Sequence, residues 1–176
     1  MPSDYFIRRS RASDVKPLHQ LFCVPEVYRF LCDGSAPHLL AAADWVQSSR
    51  YDFLEFGIGL WTLMHSTSPE ILGAVRLAPP GDDALTELVY LLHPDVWGQG
   101  LATRMAHTAM LEAFSNRQIK GVLAGADLPN SKSIEVMKRI GMSFRRYVTY
   151  PLGAGVEYVC FKEDFDAERN EPLEIE

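Results

Sequence analysis

Glu87-Leu88-Val89-Tyr90-Leu91-Leu92-His93-Pro94 leads within two residues into Trp97-Gly98-Gln99-Gly100-Leu101-Ala102-Thr103. The apolar run Thr86–Leu92 is β-compatible and is ended by His93-Pro94. From the glycines onward, Ala102, Ala106, Met110 and Ala113 recur at helical spacing, predicting a helix that reaches Phe114. The pattern is therefore strand, glycine turn, helix. Glycines at such a turn let the chain bend sharply and approach a ligand closely. The first N–H groups of the helix have no internal partner and lie at the positive end of its dipole, a site suited to a pyrophosphate. A bare Gly-x-Gly fits a plain turn equally well. It is not a Rossmann fingerprint, which needs a third glycine and a later acidic residue, and no Gly-Lys-Ser/Thr follows to make a P-loop.

Outward from this turn the chain alternates strands and helices. Tyr5–Arg9 is a strand, and Ser13-Asp14 is a helix N-cap pair before Val15, Leu18, Leu21 and Phe22. Pro25–Leu31 and Pro37–Arg50 are further helical pieces. Leu54–Met64 and Ile71–Leu77 are predicted strands joined through Ser66-Thr67-Ser68-Pro69. Gly121–Gly125 is a short buried strand, Ser131–Ile140 a helix stopped by Gly141, and Phe144–Tyr150 and Val156–Lys162 close the domain as strands. The order β-α-α-β-β-β-α-β-α-β-β describes a single mixed α/β (α+β) domain over residues 1–163. Residues 164–176 are acidic and aperiodic and are expected to form a frayed tail.

Composition sets the class. The 176 residues are 47% hydrophobic and 23% charged, values of one globular domain. No apolar run reaches the ~18–20 residues of a membrane span, and the N-terminus has no signal-peptide core, so a soluble cytoplasmic protein is expected. Net charge is −6, but residues 96–150 hold eight basic and three acidic side chains, a local +5. The cationic stretch contains the glycine turn, so whole-chain charge does not exclude a polyanionic ligand. Cys23, Cys32 and Cys160 form no CxxC pair, and the histidines show no ligand spacing, so neither a zinc site nor any other metal is expected.

The segment Glu87–Thr103 resembles motif A of the GNAT superfamily of acyl-CoA N-acyltransferases, in particular its RimJ/RimL-like branch. The family core Gln/Arg-x-x-Gly-x-Gly/Ala stands here as Trp97-Gly98-Gln99-Gly100-Leu101-Ala102, with Trp97 departing at the first position. Pro129-Asn130-Ser131-Lys132-Ser133 with Met137–Phe144 is similar to motif B, and Ile7–Ser13 with Pro25-Glu26-Val27 is similar to the branch's N-terminal strand and first helices. The resemblance covers about residues 5–163. It implies a central, mostly antiparallel twisted sheet flanked by helices and splayed between its fourth and fifth strands. It implies acetyl-CoA as cosubstrate and a primary amine, either a protein N-terminus or a small amine, as acceptor. No nucleic-acid or membrane partner is implied, and a homodimer is expected by resemblance alone.

On the same resemblance, backbone N–H groups of Gln99, Gly100, Leu101, Ala102 and Thr103 hold the pyrophosphate, and Trp97 and Gly98 belong to the same cofactor-binding loop. Leu91 and Leu92 offer backbone to the pantetheine, and Asn130 and Ser133 bond the cofactor arm. Glu87 stands where the branch carries its proposed base, His93 being the second candidate; a rim carboxylate paired with a cation is the alternative for Glu87. Ser133 is the candidate proton donor to the leaving thiolate, with Ser131, Tyr147, Tyr150 and Tyr158 as alternatives. Arg104, Lys132, Lys138 and Arg139 either offset phosphate charge or line a solvated helix face. Tyr28, Phe30, Trp45 and Trp61 either line the acceptor pocket or pack in the core. Val89, where the branch often has Gly, leaves open a CoA-binding module without turnover, and a nucleotide- or phosphate-binding domain is the third reading.

Overall fold

The computed structural model describes residues 4–31 and 34–176. Eight strands form one open sheet: β1 (Tyr5–Arg9), β2 (Leu60–His65), β3 (Ser68–Leu77), β4 (Leu85–Leu92), β5 (Gly121–Asp127), β6 (Ser143–Tyr150), β7 (Gly153–Phe161) and β8 (Glu174–Ile175). Their order is β6-β7-β5-β4-β3-β2-β1-β8. Neighbours are antiparallel except β4–β5 and β1–β8, which are parallel. Helices α1 (Val15–Phe22), α2 (Pro25–Leu31) and α3 (Leu39–Phe56) cover one face, and α4 (Leu101–Ser115) and α5 (Ser131–Arg139) the other.

Strand alternation builds the two cores. On β2, Leu60 and Met64 pack with Leu18, Leu21 and Phe22 of α1 and Ala42 and Val46 of α3. Trp61 and Leu63 point the other way, into a cluster with Met105, Ala109 and Met110 of α4. Each such fully buried side chain contributes ~1.5–3 kcal/mol, so both layers are anchored to the same central strands. β4 and β5 pair only at Leu85↔Gly121, Thr86↔Val122 and Glu87↔Leu123. Beyond Glu87, β4 stays paired with β3 to Leu92, while β5 follows β7 to Asp127. The predicted splay between the fourth and fifth strands is present.

Several local expectations are corrected. The predicted strand Leu54–Met64 begins as helix: α3 continues to Phe56 and ends where the N–H of Gly57, in the left-handed region at φ 69°, bonds to the Phe53 carbonyl. Leu54-Glu55-Phe56 alternates in a way that suits a strand, but Leu54 is 84% exposed on the outer helix face. Ser68 and Pro69 open β3 rather than a turn. Asp14 does not cap α1 with its side chain. It instead accepts two bonds from the Arg8 guanidinium (2.7 and 3.0 Å) and one from the Arg11 N–H (2.7 Å). Burial opposes ionisation of Asp14, but Arg8 and the Arg11 N–H outweigh it and hold the carboxyl below its ordinary range. Cys32 lies outside the described residues.

The C-terminal segment is not frayed. Leu173 is 3% exposed within the α4-side core, and its N–H bonds to the Thr108 hydroxyl (2.9 Å). Phe165 packs against Phe114 with the rings tilted and their centroids 4.8 Å apart. Arg104 donates to the carbonyls of Glu171 and Pro172, and β8 adds a parallel strand beside β1. Acidic residues mask this in the sequence, because two apolar anchors and a row of backbone bonds carry no detectable period.

Leu173→Ala is expected to cost about 2–4 kcal/mol in urea denaturation, as for a buried leucine; a frayed position would stay within ~0.5 kcal/mol. Asp14→Asn tests the Arg8 pair. Its stabilisation, coming from a lowered carboxylate pKa, is complete above the ordinary carboxylate range and fades as pH falls through the depressed value. The urea midpoint gap between wild type and Asp14→Asn therefore closes between pH 7 and strongly acidic conditions.

Candidate functional site

The site grows from the separation of β4 and β5. The Glu87 carbonyl accepts from the Ala78 N–H (3.0 Å), and the His93 N–H donates to the Leu72 carbonyl (2.8 Å). The β3–β4 register runs unbroken between these points. Antiparallel alternation then turns the backbone of Glu87, Val89 and Leu91 toward β3, and that of Leu88, Tyr90 and Leu92 toward the gap. On the other wall, Lys120 and Leu128 bond to Lys162 and Ala154 on the β7 side, so Gly125 and Asp127 turn their backbone to the gap. Leu91 is thereby corrected: its backbone faces β3, and its side chain packs with Leu18 and Phe22. Leu92 does face the gap.

The glycine turn closes one end. Gly98 and Gly100 have φ 76° and 74°, and Gly100 is the N-cap of α4 without a side-chain cap bond. The left-handed region favours glycine at both positions. A Cβ on either would meet nothing within 4 Å, so the space before the loop is open. The N–H groups of Leu101, Ala102 and Thr103 have no carbonyl one turn earlier within α4 and point outward from its N-terminus. Trp97 fixes this loop to the sheet: its Nε1 donates to the Leu92 carbonyl at 3.0 Å, and the Lys132 ammonium lies 4.0 Å from its ring centroid. Trp97 thus satisfies one gap-facing carbonyl and joins the start of α5 to the turn. Arg104 is committed to the C-terminal carbonyls and Lys138 to Glu135, whereas Lys132 lies against the loop over Trp97.

On the α4/α5 face, the Tyr90 hydroxyl lies 2.8 Å from both the carbonyl and the Oγ of Ser133. Burial pushes the Tyr90 phenol well above its ordinary value, with the Ser133 bond opposing, so it stays protonated as a donor. Asn130 caps α5 by accepting from the Ser133 N–H at 3.4 Å. Tyr90 was not singled out from sequence. Strand alternation alone would have placed it opposite Glu87, but its partner lies forty-three residues away.

On the α2/α3 face, a cavity of about 260 Å³ is lined by Phe30, Trp45, Glu87, Val89, Asp127 and Tyr150, among others. Glu87 is exposed to it and forms no hydrogen bond or ion pair among the described residues. Tyr150 lies over Gly125 and Gly155; a Cβ at either would collide with its hydroxyl or ring. Burial, with the carboxylates of Glu157, Glu87 and Asp127, raises the Tyr150 phenol, against Arg146. Tyr147 is 73% exposed, and Tyr158 is packed in the core, so Tyr150 is the C-terminal tyrosine that reaches the cavity. Trp61 is buried in the core, whereas Phe30 and Trp45 line the cavity. His93 is occupied locally, its Nδ1 accepting from the Asp95 N–H. Glu87 and Ser133 address the sheet from opposite faces. A larger hollow of about 680 Å³, edged by Arg117, Lys120, Arg145 and Lys162, lies at the far end of β5 from the gap and the glycine turn.

This geometry agrees with comparisons to known proteins. Residues 5–143 match the family model of the acetyltransferase (GNAT) domain. The chain is 26% identical over 107 residues to the YkkB protein of Bacillus subtilis (strain 168), spanning 60% of this chain and 62% of that protein's length. Its fold is similar to a ribosomal-protein-S5-alanine acetyltransferase from Vibrio fischeri (TM-score 0.77, 15% identity, 94% of this chain and 97% of that one). It is also similar to RimL, a ribosomal L7/L12 α-N-protein acetyltransferase solved with coenzyme A (TM-score 0.75, 15% identity, 89% and 93%). With the splayed β4–β5 pair, the glycine turn at α4 and a family match over most of its length, the chain belongs to the GNAT acetyltransferase family.

Proposed function

We propose that this protein transfers the acetyl group of acetyl-CoA to a primary amine by direct attack within a ternary complex. The observation that carries this reading is the gap: it joins an anion-binding helix start at one end to a carboxylate-lined cavity beside it. The amides of Gln99 to Thr103, with Lys132 close by, suit the pyrophosphate of CoA. Unpaired backbone at Tyr90, and the Leu92 N–H, suit the pantetheine amides, because buried backbone groups need partners.

An ammonium is not a nucleophile, so a base must first take a proton from the acceptor, directly or through a water. Glu87 is that base: it opens into the cavity and is unpaired among the described residues. The amine nitrogen then bonds to the thioester carbonyl carbon, and collapse of the tetrahedral adduct breaks the carbon–sulfur bond. The departing thiolate takes a proton through the Ser133 hydroxyl, which recovers one from the proton the adduct nitrogen sheds as the amide forms; the Tyr90 phenol holds the Ser133 hydroxyl by hydrogen bonding. Asn130 serves this step by holding the start of α5. A cysteinyl intermediate is disfavoured at Cys160, whose buried thiol is pushed up to about 11 and carries little thiolate near neutrality.

Acetyl-CoA is expected to raise the melting temperature where NAD and ATP do not, with a ligand at a hundredfold over its Kd adding ~2.7 kcal/mol. Glu87→Gln should lower kcat/KM by about 10²-fold or more with acetyl-CoA binding intact; full activity in that variant removes Glu87 from the chemistry. Gly100→Val should weaken acetyl-CoA binding at least tenfold while the protein still folds, since a β-branched residue resists positive φ. Unchanged affinity in a calorimetric titration would count against the turn as the pyrophosphate site.

A further inference from the structure

Asp127 ends β5 with a side chain only 8% exposed, and its Oδ1 is buried without a hydrogen-bond partner among the described residues. Buried carboxylate oxygens are ordinarily paired, because leaving water without compensation is costly. On β6, Arg146 is engaged elsewhere, bonding to Glu157 at 2.6 Å, and Arg145 lies 3.6 Å from the same carboxylate. Asp127 instead lines the cavity that Glu87 also enters, on the same side of the sheet.

The spacing of the two carboxylates is set by register. Glu87 pairs level with Leu123, and Asp127 follows four residues along β5. At about 3.3 Å per residue this separates the two positions by ~13 Å along the strand direction. Between them stand Val89 and the aromatic walls Phe30 and Trp45, with the Tyr150 hydroxyl over Gly125. The cavity therefore offers an acidic group at each end of an apolar middle.

We propose that Asp127 is a specificity-determining residue that binds a second cationic amino group of the acceptor, so that the preferred substrate is an aliphatic diamine or polyamine. The reacting amine lies at Glu87, the methylene chain runs along Val89, Phe30 and Trp45, and the distal ammonium supplies the partner that Asp127 Oδ1 lacks. This assignment rests on the acetyl-transfer reading and deepens it.

The test compares 1,5-diaminopentane with 1-aminohexane, equal in heavy atoms but with a methyl in place of the second ammonium. Acetyl transfer and calorimetric binding in the presence of CoA are measured for wild type and Asp127→Asn. Wild type should favour the diamine at least tenfold, chiefly in KM, over both 1-aminohexane and an alanine-initiated peptide of neutral side chains. Asp127→Asn should abolish that preference by losing activity on the diamine and not on 1-aminohexane, and keep or raise the melting temperature. A structural role would lower it. If the amide is not accommodated, Asp127→Ser carries the same expectation. Equal use of diamine and monoamine by wild type, a better rate on the peptide, or an equal loss on both amines in the variant overturns the proposal while leaving acetyl transfer standing. Asp127-dependent diamine binding without any transfer supports this assignment and sinks the enzymatic one; absence of both diamine binding and transfer overturns the assignment.

Discussion

Two parallel strands that part after three paired residues leave backbone donors and acceptors facing a gap. β4 and β5 do this beyond Glu87 and Leu123, and the rest of the molecule holds that opening in place. β4 stays rigid because β3 pairs with it to Leu92, and β5 because β7 pairs with it to Asp127. Helices on both faces bury the side chains of the same strands, so the separation cannot close without breaking two hydrophobic layers. An open seam inside a sheet is a demand for a ligand with amides of its own.

The features around the seam divide by strand alternation. Even-numbered positions of β4 send side chains toward α4 and α5, where Tyr90 meets Ser133; odd-numbered ones send Glu87 and Val89 toward α2 and α3. Glu87 and Ser133 are thus separated by the thickness of the sheet. The cavity opens on one face while the glycine turn lies at the other end of the gap. Trp97, at the position where the family motif usually has Gln or Arg, ties the β4 end to the turn through one indole bond. The C-terminal segment braces α4 from behind through Leu173, Phe165 and the carbonyls held by Arg104.

Much of this was legible in the chain. The strand–glycine–helix pattern of Glu87–Thr103 is local, so its residues revealed the turn, and the family resemblance they carry pointed to Glu87 as the candidate base. The motif around Asn130 and Ser133 was equally local. The end of α3 was misread because Leu54-Glu55-Phe56 satisfies a strand period and a helix edge alike, and Gly57 settles the matter only through its left-handed conformation. Trp45 and Trp61 are alike in sequence, yet one lines a cavity and the other is buried in the core; the difference lies in which face of α3 or β2 each occupies. The tail was misread because docking depends on isolated anchors, not on a repeating pattern.

The sequence alone determined the strand, glycine turn and helix of Glu87–Phe114, the cationic stretch around them and the family to which they belong, since each is written in residues close together in the chain. Only the tertiary structure decided which backbone atoms face the gap, which tyrosine bonds to Ser133, which one enters the cavity, and that the Asp127 Oδ1 is buried without a hydrogen-bond partner among the described residues, in the cavity Glu87 also lines. Those facts join residues dozens of positions apart, through strand register and the pleat, and spacing along the chain cannot express them.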